Sequence, residues 1–168
     1  MLLSAIKKRY SLRKFSDQPI EEEKRTALLD AARLAPSARN VQPWKFVVID
    51  DPAKRAALTD ICKGQSFVSQ APITIALCVN NTDYTMTCGQ TAAIIDAAIA
   101  GAYIGLQATE MGLGSCWVGA FYADQLGDLI NMPRDYTVVG LLPIGYPAVA
   151  KGNRILKPVE DVIVKNSF

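Results

Sequence analysis

Histidine is absent from the 168-residue sequence. Imidazole is the commonest general base and a frequent metal ligand, so its absence excludes catalysis by a histidine and every metal site that needs one. The four cysteines, at positions 62, 78, 88 and 116, are spaced too irregularly for a zinc or iron–sulfur pattern. No export signal is visible at the N-terminus, so we expect reduced thiols and a cytoplasmic protein.

A strong excess of charge of either sign is also missing. Lys and Arg number 18 and Asp and Glu number 16, which leaves a net charge of +2. This balance argues against binding to nucleic acid or to a membrane surface as the main function. The longest apolar region, 91–111, is interrupted by Asp96, Gln107 and Glu110, which favours a core helix over a membrane span.

Glycine-rich phosphate-binding motifs are missing as well. Predicted strands alternate with predicted helices, a pattern that by itself favours a parallel, Rossmann-like sheet. However, neither G-x-G-x-x-G nor G-x-x-x-x-G-K-[ST] follows an early strand, and Gly112-Leu113-Gly114 lies after a helix and before a strand, the wrong order for a phosphate turn. If a nucleotide binds, cationic side chains must hold its phosphate.

Periodicity and turn signals predict about four strands and five helices. A short opening helix would carry Leu2, Leu3 and Ile6 on one face. The cations that follow are favourable at its C-terminus and predict its end there. Asp51 is suited to cap a helix that starts at Pro52. The other helices are expected at about 21–35, 91–112 and 123–130, the strands at 44–49, 72–79, 115–120 and 138–145, and a docking tail at 159–164.

Two of these segments predict how the elements are arranged. The continuous apolar run at 72–79 is typical of a strand that is buried on both faces at the centre of a sheet. The helix at 91–112 is nearly apolar all round and must be enclosed by other elements. In a single domain as small as 1–168, a partner subunit is a natural way to cover its remaining face.

Three stretches together resemble the nitroreductase family, in particular its short members. They are 9–15 (RYSLRKF), 35–44 (APSARNVQPW) and 112–119 (GLGSCWVG), and their order and separation match the family over nearly the whole chain. The resemblance implies an α+β, three-layer fold in which helices flank a central mixed, mostly antiparallel sheet and the C-terminal tail docks on the partner subunit. It also implies a homodimer that binds FMN and takes hydride from NADH or NADPH.

The first stretch is a candidate anchor for FMN. By resemblance, Arg9 and Ser11 hold the phosphate and ribityl end, with Tyr10 also among the cofactor-binding residues. Arg13 would stabilise the negative charge that a reduced flavin gathers on its pyrimidine edge. Arginine offers phosphate a planar pair of donors, and a nearby hydroxyl can complete the oxygen shell. On residue chemistry alone, a solvated basic helix end is an equally good interpretation.

The second stretch breaks a helix at Pro36 and places polar residues in a loop before a strand. The resemblance implies that this loop reaches the flavin of the neighbouring subunit, with Arg39 near the mouth of the site. The cofactor-binding residues expected here are Pro36, Ser37, Ala38 and Asn40. The alternative is an ordinary turn, and for Trp44 we prefer a role in the core.

The third stretch has glycines that let a flat ligand approach the backbone. The resemblance implies that a main-chain N–H here addresses flavin N5 and that Cys116, Trp117, Val118 and Gly119 contact the cofactor. Cys116 itself is expected to be a buried, inert thiol. Gln65 resembles a side chain that hydrogen-bonds the polar edge of the flavin, although a surface amide needs no such role.

The C-terminal region departs from the family pattern. The family commonly places two basic residues, one residue apart, on the FMN phosphate; Arg154 fits the first position, but Leu156 occupies the second. Lys151 and Lys157 are candidates to compensate. Asp96, in the long apolar helix, is expected to be a packing or dimer-contact acid with a partner that the sequence does not identify.

The resemblance implies an FMN-dependent oxidoreductase that moves hydride from NAD(P)H to a small electrophilic acceptor, such as a nitroaromatic compound or a quinone. A ping-pong mechanism is expected, because the flavin carries the chemistry and needs no histidine or cysteine nucleophile. The first alternative is a flavin-binding or flavin-handling module with little NAD(P)H turnover. The second is a flavin-free α/β interaction domain whose arginines are surface charges. No segment distinguishes NADH from NADPH or identifies the acceptor.

Overall fold

The computed structural model describes residues 1–80, 84–152 and 154–167. Within these ranges the α-helices are α1 (Ser4–Lys8), α2 (Glu22–Arg33), α3 (Pro52–Ile61), α4 (Phe67–Gln70), α5 (Ala92–Glu110) and α6 (Ala123–Leu129). The strands are β1 (Trp44–Ile49), β2 (Ile73–Asn80), β3 (Gly114–Ser115) and β4 (Tyr136–Gly145). Short 3-10 turns occupy Ala38–Asn40 and Val159–Asp161.

The strands form one sheet in the order β1-β2-β4-β3. Each pair of neighbouring strands is antiparallel, and one isolated parallel bridge joins Ser11 to Ser115. The mixed, mostly antiparallel sheet is therefore confirmed, and the parallel arrangement that simple alternation favours is wrong. β2 lies between β1 and β4, and all of its residues except Asn80 are buried, as its continuous apolar run predicts.

Helices cover both faces of the sheet. Ile73, Ile75 and Leu77 of β2 pack with residues of α2 and α5. The alternate residues Ala76 and Cys78 pack with residues of α3, α4 and α6 on the opposite face. The three-layer α+β fold is confirmed.

The cap predicted for α3 is present. Asp51 accepts a hydrogen bond from the Lys54 amide at 2.9 Å, and Pro52 takes the first helical position. Such a side-chain acceptor satisfies one of the amides that a helix start leaves unpaired. β1 before it has the predicted bounds.

The strand predicted at 115–120 is wrong beyond its first residue. β3 pairs Gly114 and Ser115 with the end of β4, and the ladder then breaks. The Cys116 amide still donates to Pro143, but proline has no amide hydrogen to return a bond, so the pairing cannot continue. It resumes only as a single bridge from Val118 to β4.

The opening helix also differs from its prediction. α1 begins at Ser4, so Leu2 and Leu3 precede it, and both are exposed together with Ile6. The predicted apolar face is therefore not buried within the chain. The sequence does not predict α4 either, because four residues are too few to show a helical period.

α5 is the long core helix that the sequence predicts. It is long and apolar enough to cross a membrane, but half of it is buried inside the chain, against α2 and β2. On the opposite side Ile94, Ile95 and Tyr103 remain exposed. The helix thus presents an apolar surface of the kind that the sequence predicts a partner would cover.

A polar cluster links the end of the sheet to the start of α2. The hydroxyl of Tyr146, directly after β4, donates to the Glu21 carboxylate, with Oε2 at 2.7 Å, and accepts from the Lys24 ammonium group. The hydroxyl lowers the pKa of Glu21 and raises the pKa of Lys24. Both shifts favour the charged forms, so the cluster contributes to stability while both residues are ionised.

We expect Tyr146→Phe to flatten the pH dependence of the free energy of unfolding at both the acidic and the alkaline end of the pH range. The lowered folded pKa of Glu21 stabilises the protein above the ordinary value of 4.5, and this contribution is lost as pH falls through the folded pKa. The raised folded pKa of Lys24 stabilises it below the ordinary value of 10.5, and this contribution is lost as pH rises through the folded pKa.

Urea unfolding from about pH 3 to about pH 11 measures this difference. Tyr122→Phe is the control, because the described residues offer its hydroxyl no hydrogen-bond partner. Wild type and Tyr146→Phe giving parallel curves across the whole range would contradict the role of the hydroxyl.

Candidate active site

A cleft of about 490 Å³ lies where the segment after α1 meets the segment after β4. We call it the cationic cavity; it is lined by Arg9, Tyr10, Ser11, Leu12, Arg13, Lys14, Val149, Ala150, Gly152 and Arg154. Five of the predicted site residues meet there, four from the first stretch and Arg154 from the C-terminal region. The two ends of the chain therefore share one site.

Leu12 fixes the backbone of the N-terminal segment. Its side chain is only 1% exposed and packs on Gly114, where an added Cβ would lie 2.4 Å from a Leu12 methyl group. Its amide donates to the Ser115 carbonyl at 3.0 Å. Ser11 and Arg13 flank this buried residue, and both are exposed and line the cavity. Burial of Leu12 therefore turns its two neighbours toward the cleft.

The cationic cavity holds positive charge without a compensating acid. None of the ion pairs in the described part of the chain involves Arg9, Arg13 or Arg154. Unpaired guanidinium groups that converge on one cleft favour an anion, and their paired N–H donors match the oxygens of a phosphate. The arrangement is therefore suited to a phosphate-bearing ligand.

Neither lysine that was a candidate to compensate for Leu156 lines this cavity. Lys151 donates instead to the Lys7 carbonyl oxygen at 2.8 Å, near the end of α1, where a cation is favourable. Lys157 and Leu156 are exposed. Among the predicted residues, the cations that face the cleft are thus the arginines alone.

A second cavity, of about 390 Å³, shares Arg9 with the first. We call it the helix cavity, because α5 supplies most of its lining: Arg9, Ala98, Gly101, Ala102, Gly105, Leu106, Ser115, Trp117 and Leu142. The apolar periodicity of α5 predicts a core helix and gives no indication that its small residues line a cavity. Their spacing of three and four residues, which places them on one face, is the signal that was available.

The Trp117 side chain packs between α5 and β4. A Cβ added at Gly101 or at Gly140 would lie 2.6 Å from its ring, so both glycines are needed for the indole to fit. The residue nevertheless remains 43% exposed and lines the helix cavity. A fixed aromatic surface of this kind suits a flat ring. The neighbouring Cys116 and Val118 are buried in the core instead.

The backbone of the third stretch offers two unused donors. The amides of Cys116 and Val118 donate to carbonyl groups of β4. Within the described residues, the amides of Trp117 and Gly119 have no acceptor. If a main-chain N–H addresses a ring ligand here, these two are the available groups.

The Cys116 thiol is unsuited to act as a nucleophile. Burial raises its pKa, in spite of the nearby charges of Arg13 and Arg9 and a hydrogen bond with Ser11. The sulfur also lies 3.6 Å from the carbonyl oxygen of Trp117. The thiol therefore stays neutral at physiological pH, as expected of a buried, inert cysteine.

Gln65 lines neither cavity. Its Nε2 donates to the Cys62 carbonyl at 2.9 Å and to the Ala120 carbonyl at 3.2 Å. These bonds use both amide hydrogens and tie the end of α3 to the loop after the third stretch. Only the side-chain oxygen is left to meet a ligand.

The second stretch lies apart from both cavities of its own chain. Pro36, Ser37, Ala38 and Asn40 line neither of them. The loop packs instead on the first half of α5, where the Ala38 amide donates to Asp96. This amide is the partner that the sequence predicts for Asp96 without identifying it. One chain thus holds two separate parts of the predicted site.

Two aromatic contacts border this loop. The Arg39 guanidinium lies 4.7 Å from the centre of the Tyr84 ring. Trp44 is buried and stacks on Phe46, with ring centroids 5.7 Å apart. Trp44 is therefore a core residue, as preferred from the sequence.

Comparisons with known proteins point to one family. The model described as Nitroreductase family matches residues 6–72 and 62–146. A protein of Methanothermobacter thermautotrophicus named NADH dehydrogenase/NAD(P)H nitroreductase is 31% identical over 159 residues, which cover 92% of this chain and 82% of that protein. The FMN reductase (NAD(P)H) of Bacillus subtilis is 25% identical over 169 residues, which cover 90% of this chain and 68% of the reductase.

A solved structure agrees over the full length. The FMN-dependent nitroreductase of Clostridium difficile R20291 superposes with a TM-score of 0.87 at 31% identity. The match covers 99% of this chain and 100% of that one. Fold and sequence similarity therefore coincide over the two cavities and the loop at 36–40.

Proposed function

The chain belongs to the nitroreductase family, and on that premise we propose that it is an FMN-dependent oxidoreductase that transfers hydride from NAD(P)H to a small electrophilic acceptor, such as a nitroaromatic compound or a quinone. The observation that carries this proposal is the cationic cavity, where three arginines converge without an acidic partner among the described residues. The names of the relatives supply the same cofactor and reductant.

The two cavities fit FMN in size and in chemistry. Their volumes of about 490 and 390 Å³ are ordinary for small-molecule sites. We assign the phosphate to Arg9, Ser11 and Arg154, since they supply unpaired charge and a hydroxyl. The ring system would lie toward the exposed face of Trp117. When bound, FMN supplies the hydride chemistry, and the chain supplies orientation and electrostatics.

Two groups of the chain act on that chemistry. Arg13 places a positive charge in the cleft and favours the negative charge that reduction brings to the flavin. The unpaired amides of Trp117 and Gly119 would donate to the ring and orient it. Neither role needs a histidine or a reactive cysteine, which accords with the composition and with the neutral thiol of Cys116.

We propose a ping-pong order, in which one site serves both half-reactions. The chain has no glycine-rich dinucleotide motif that would hold NAD(P)H separately from the acceptor. The nicotinamide donor and the electron acceptor would therefore use the same open face of the flavin in turn. Arg13 and the backbone donors would serve both half-reactions.

A homodimer would unite the two parts of the site. The loop at 36–40 lies apart from the cavities of its own chain, so its polar groups can serve a flavin only in another copy. Exposed apolar residues on the outward side of α5, Ile94, Ile95 and Tyr103, offer a surface for that copy. We propose that pairing along α5 brings each loop to the partner's helix cavity.

The C-terminal tail provides a second dimer contact. Its apolar side chains are exposed in the single chain: Ile155, Leu156, Val159, Val162, Ile163 and Val164. A cavity of about 650 Å³ between α1, α2 and α5 is lined largely by apolar atoms, with Leu3, Ala31, Tyr103 and Leu106 among its residues. We propose that the tail of one subunit docks on the other, which would cover apolar area on both.

Steady-state turnover tests the proposed reaction. We expect the purified protein with FMN to oxidise NADH or NADPH in the presence of a quinone or a nitroaromatic acceptor, with parallel double-reciprocal lines typical of a ping-pong order. Intersecting lines would contradict that order. Protein that binds FMN but shows negligible rates with either reductant would favour a flavin-handling module instead.

Replacing Arg9 tests the assignment of the phosphate. Arg9→Gln removes a charged donor that lines both cavities, and we expect FMN binding to weaken about 10- to 100-fold. Arg134→Gln, which removes an exposed arginine outside both cavities, is the matched control and should leave the affinity unchanged. Titration by flavin fluorescence measures both. Equal affinities for the two variants would overturn the assignment.

A further inference from the structure

Asp96 is a buried acid in the middle of an apolar surface. It is 4% exposed and is flanked along α5 by Ala92, Ala93, Ala97 and Ala100, all of them buried. A carboxylate in such a position is unfavourable unless it is hydrogen-bonded. The Ala38 amide supplies that bond, at 3.1 Å from Oδ1. This hydrogen bond connects the buried face of α5 to the loop at 36–42.

The loop that Asp96 holds has an unfavourable backbone. Arg39, Asn40 and Gln42 have φ values of 56°, 57° and 54°, in the left-handed region that residues with a Cβ rarely adopt. Three such residues within four positions persist only where the surroundings hold them in place. The conformation therefore depends on the contacts that restrain the loop.

Three contacts restrain the loop, and they involve residues near its ends and in its middle. Asp96 fixes the amide of Ala38 at the start of the 3-10 turn. The Ser37 hydroxyl accepts from the Gln42 amide at 3.0 Å and closes the loop on itself. Arg39 lies over the Tyr84 ring. Of these, only the contact with Asp96 connects the loop to a buried atom of the core.

We infer that Asp96 is a positioning residue for the flavin site: through the Ala38 amide it holds the loop that presents Ser37 and Asn40 to the flavin. The inference rests on the proposed function, since the loop has this task only if a flavin binds. α5 carries Asp96 and, five positions later, Gly101 in the lining of the helix cavity. One rigid helix therefore sets both the cavity of its own chain and the loop offered to a partner.

Four variants separate this role from general stability. Asp96→Ala removes the acceptor, whereas Asp96→Asn retains an oxygen that can accept from the Ala38 amide. Asp51→Ala is the matched control, because it also removes a carboxylate that accepts one backbone amide, at 2.9 Å, but on α3 and away from the loop. Ala38→Pro removes the donor from the loop side and leaves every side chain of α5 unchanged, at a first-turn position where proline is tolerated.

The first readout does not involve flavin. Hydrogen exchange of the flavin-free protein should show the Ala38 amide protected in wild type and in Asp96→Asn, and exchanging at least about tenfold faster in Asp96→Ala. Asp51→Ala should leave that amide as in wild type. Unchanged protection in Asp96→Ala would overturn the anchoring contact, whether or not the protein binds flavin.

The second readout is the FMN dissociation constant, measured below the unfolding range of each variant. We expect Asp96→Ala and Ala38→Pro each to raise it about tenfold, and Asp96→Asn and Asp51→Ala to stay within about twofold of wild type. A purely structural role would lower the unfolding temperature and leave this constant unchanged, which would overturn the inference. Should Asp96→Ala fail to fold, the FMN dissociation constant of Ala38→Pro decides the matter, because this variant loses the same hydrogen bond although it has no amide hydrogen at position 38 to exchange.

The two proposals fail in distinguishable ways. Wild-type protein that takes up no FMN overturns the proposed function, and with it the task assigned to the loop. Suppose instead that wild-type protein binds FMN, and that Asp96→Ala exchanges its Ala38 amide faster but binds FMN with normal affinity. That result overturns the positioning role alone.

Discussion

The hydrogen bond from the Leu12 amide to the Ser115 carbonyl is the contact on which the candidate site depends. It joins the segment after α1 to β3, and the burial of Leu12 against Gly114 excludes water from it. Without this contact the residues at 9–13 would be a solvated basic helix end, which was the alternative interpretation of the same residues. With it, Ser11 and Arg13 face one cleft together with an arginine from the far end of the chain.

α5 connects the remaining parts of the site. Its small residues line the helix cavity, its buried Asp96 accepts a hydrogen bond from the loop at 36–42, and its exposed side carries apolar residues. The packing of Trp117 between Gly101 and β4 fixes the distance from this helix to the sheet. The interior of the fold and the geometry of the site are therefore set by the same contacts, which is typical of sites built on rigid elements.

How much could be predicted from the sequence depended on whether the deciding contact was local. β1 and the cap of α3 were predictable, because an aromatic and β-branched run ends at Asp51 before a proline. The early end of β3 was not, since Pro143 acts across the sheet rather than along the chain. The meeting of Arg154 with the first stretch is equally non-local, and only the family resemblance indicated it. The partner of Asp96 could not be identified for the same reason, although the need for one was clear from its apolar neighbours.

Riboflavin tests whether the cationic cavity holds the phosphate of FMN, because it differs from FMN only in lacking that phosphate. The measurement is the ratio of the two dissociation constants, obtained by fluorescence titration at low and at high ionic strength. If Arg9 and Arg154 bind the phosphate in this cavity, FMN binds at least about 100-fold more tightly than riboflavin, and the advantage shrinks as salt is added. Equal affinities at low salt would contradict the assignment of this cavity.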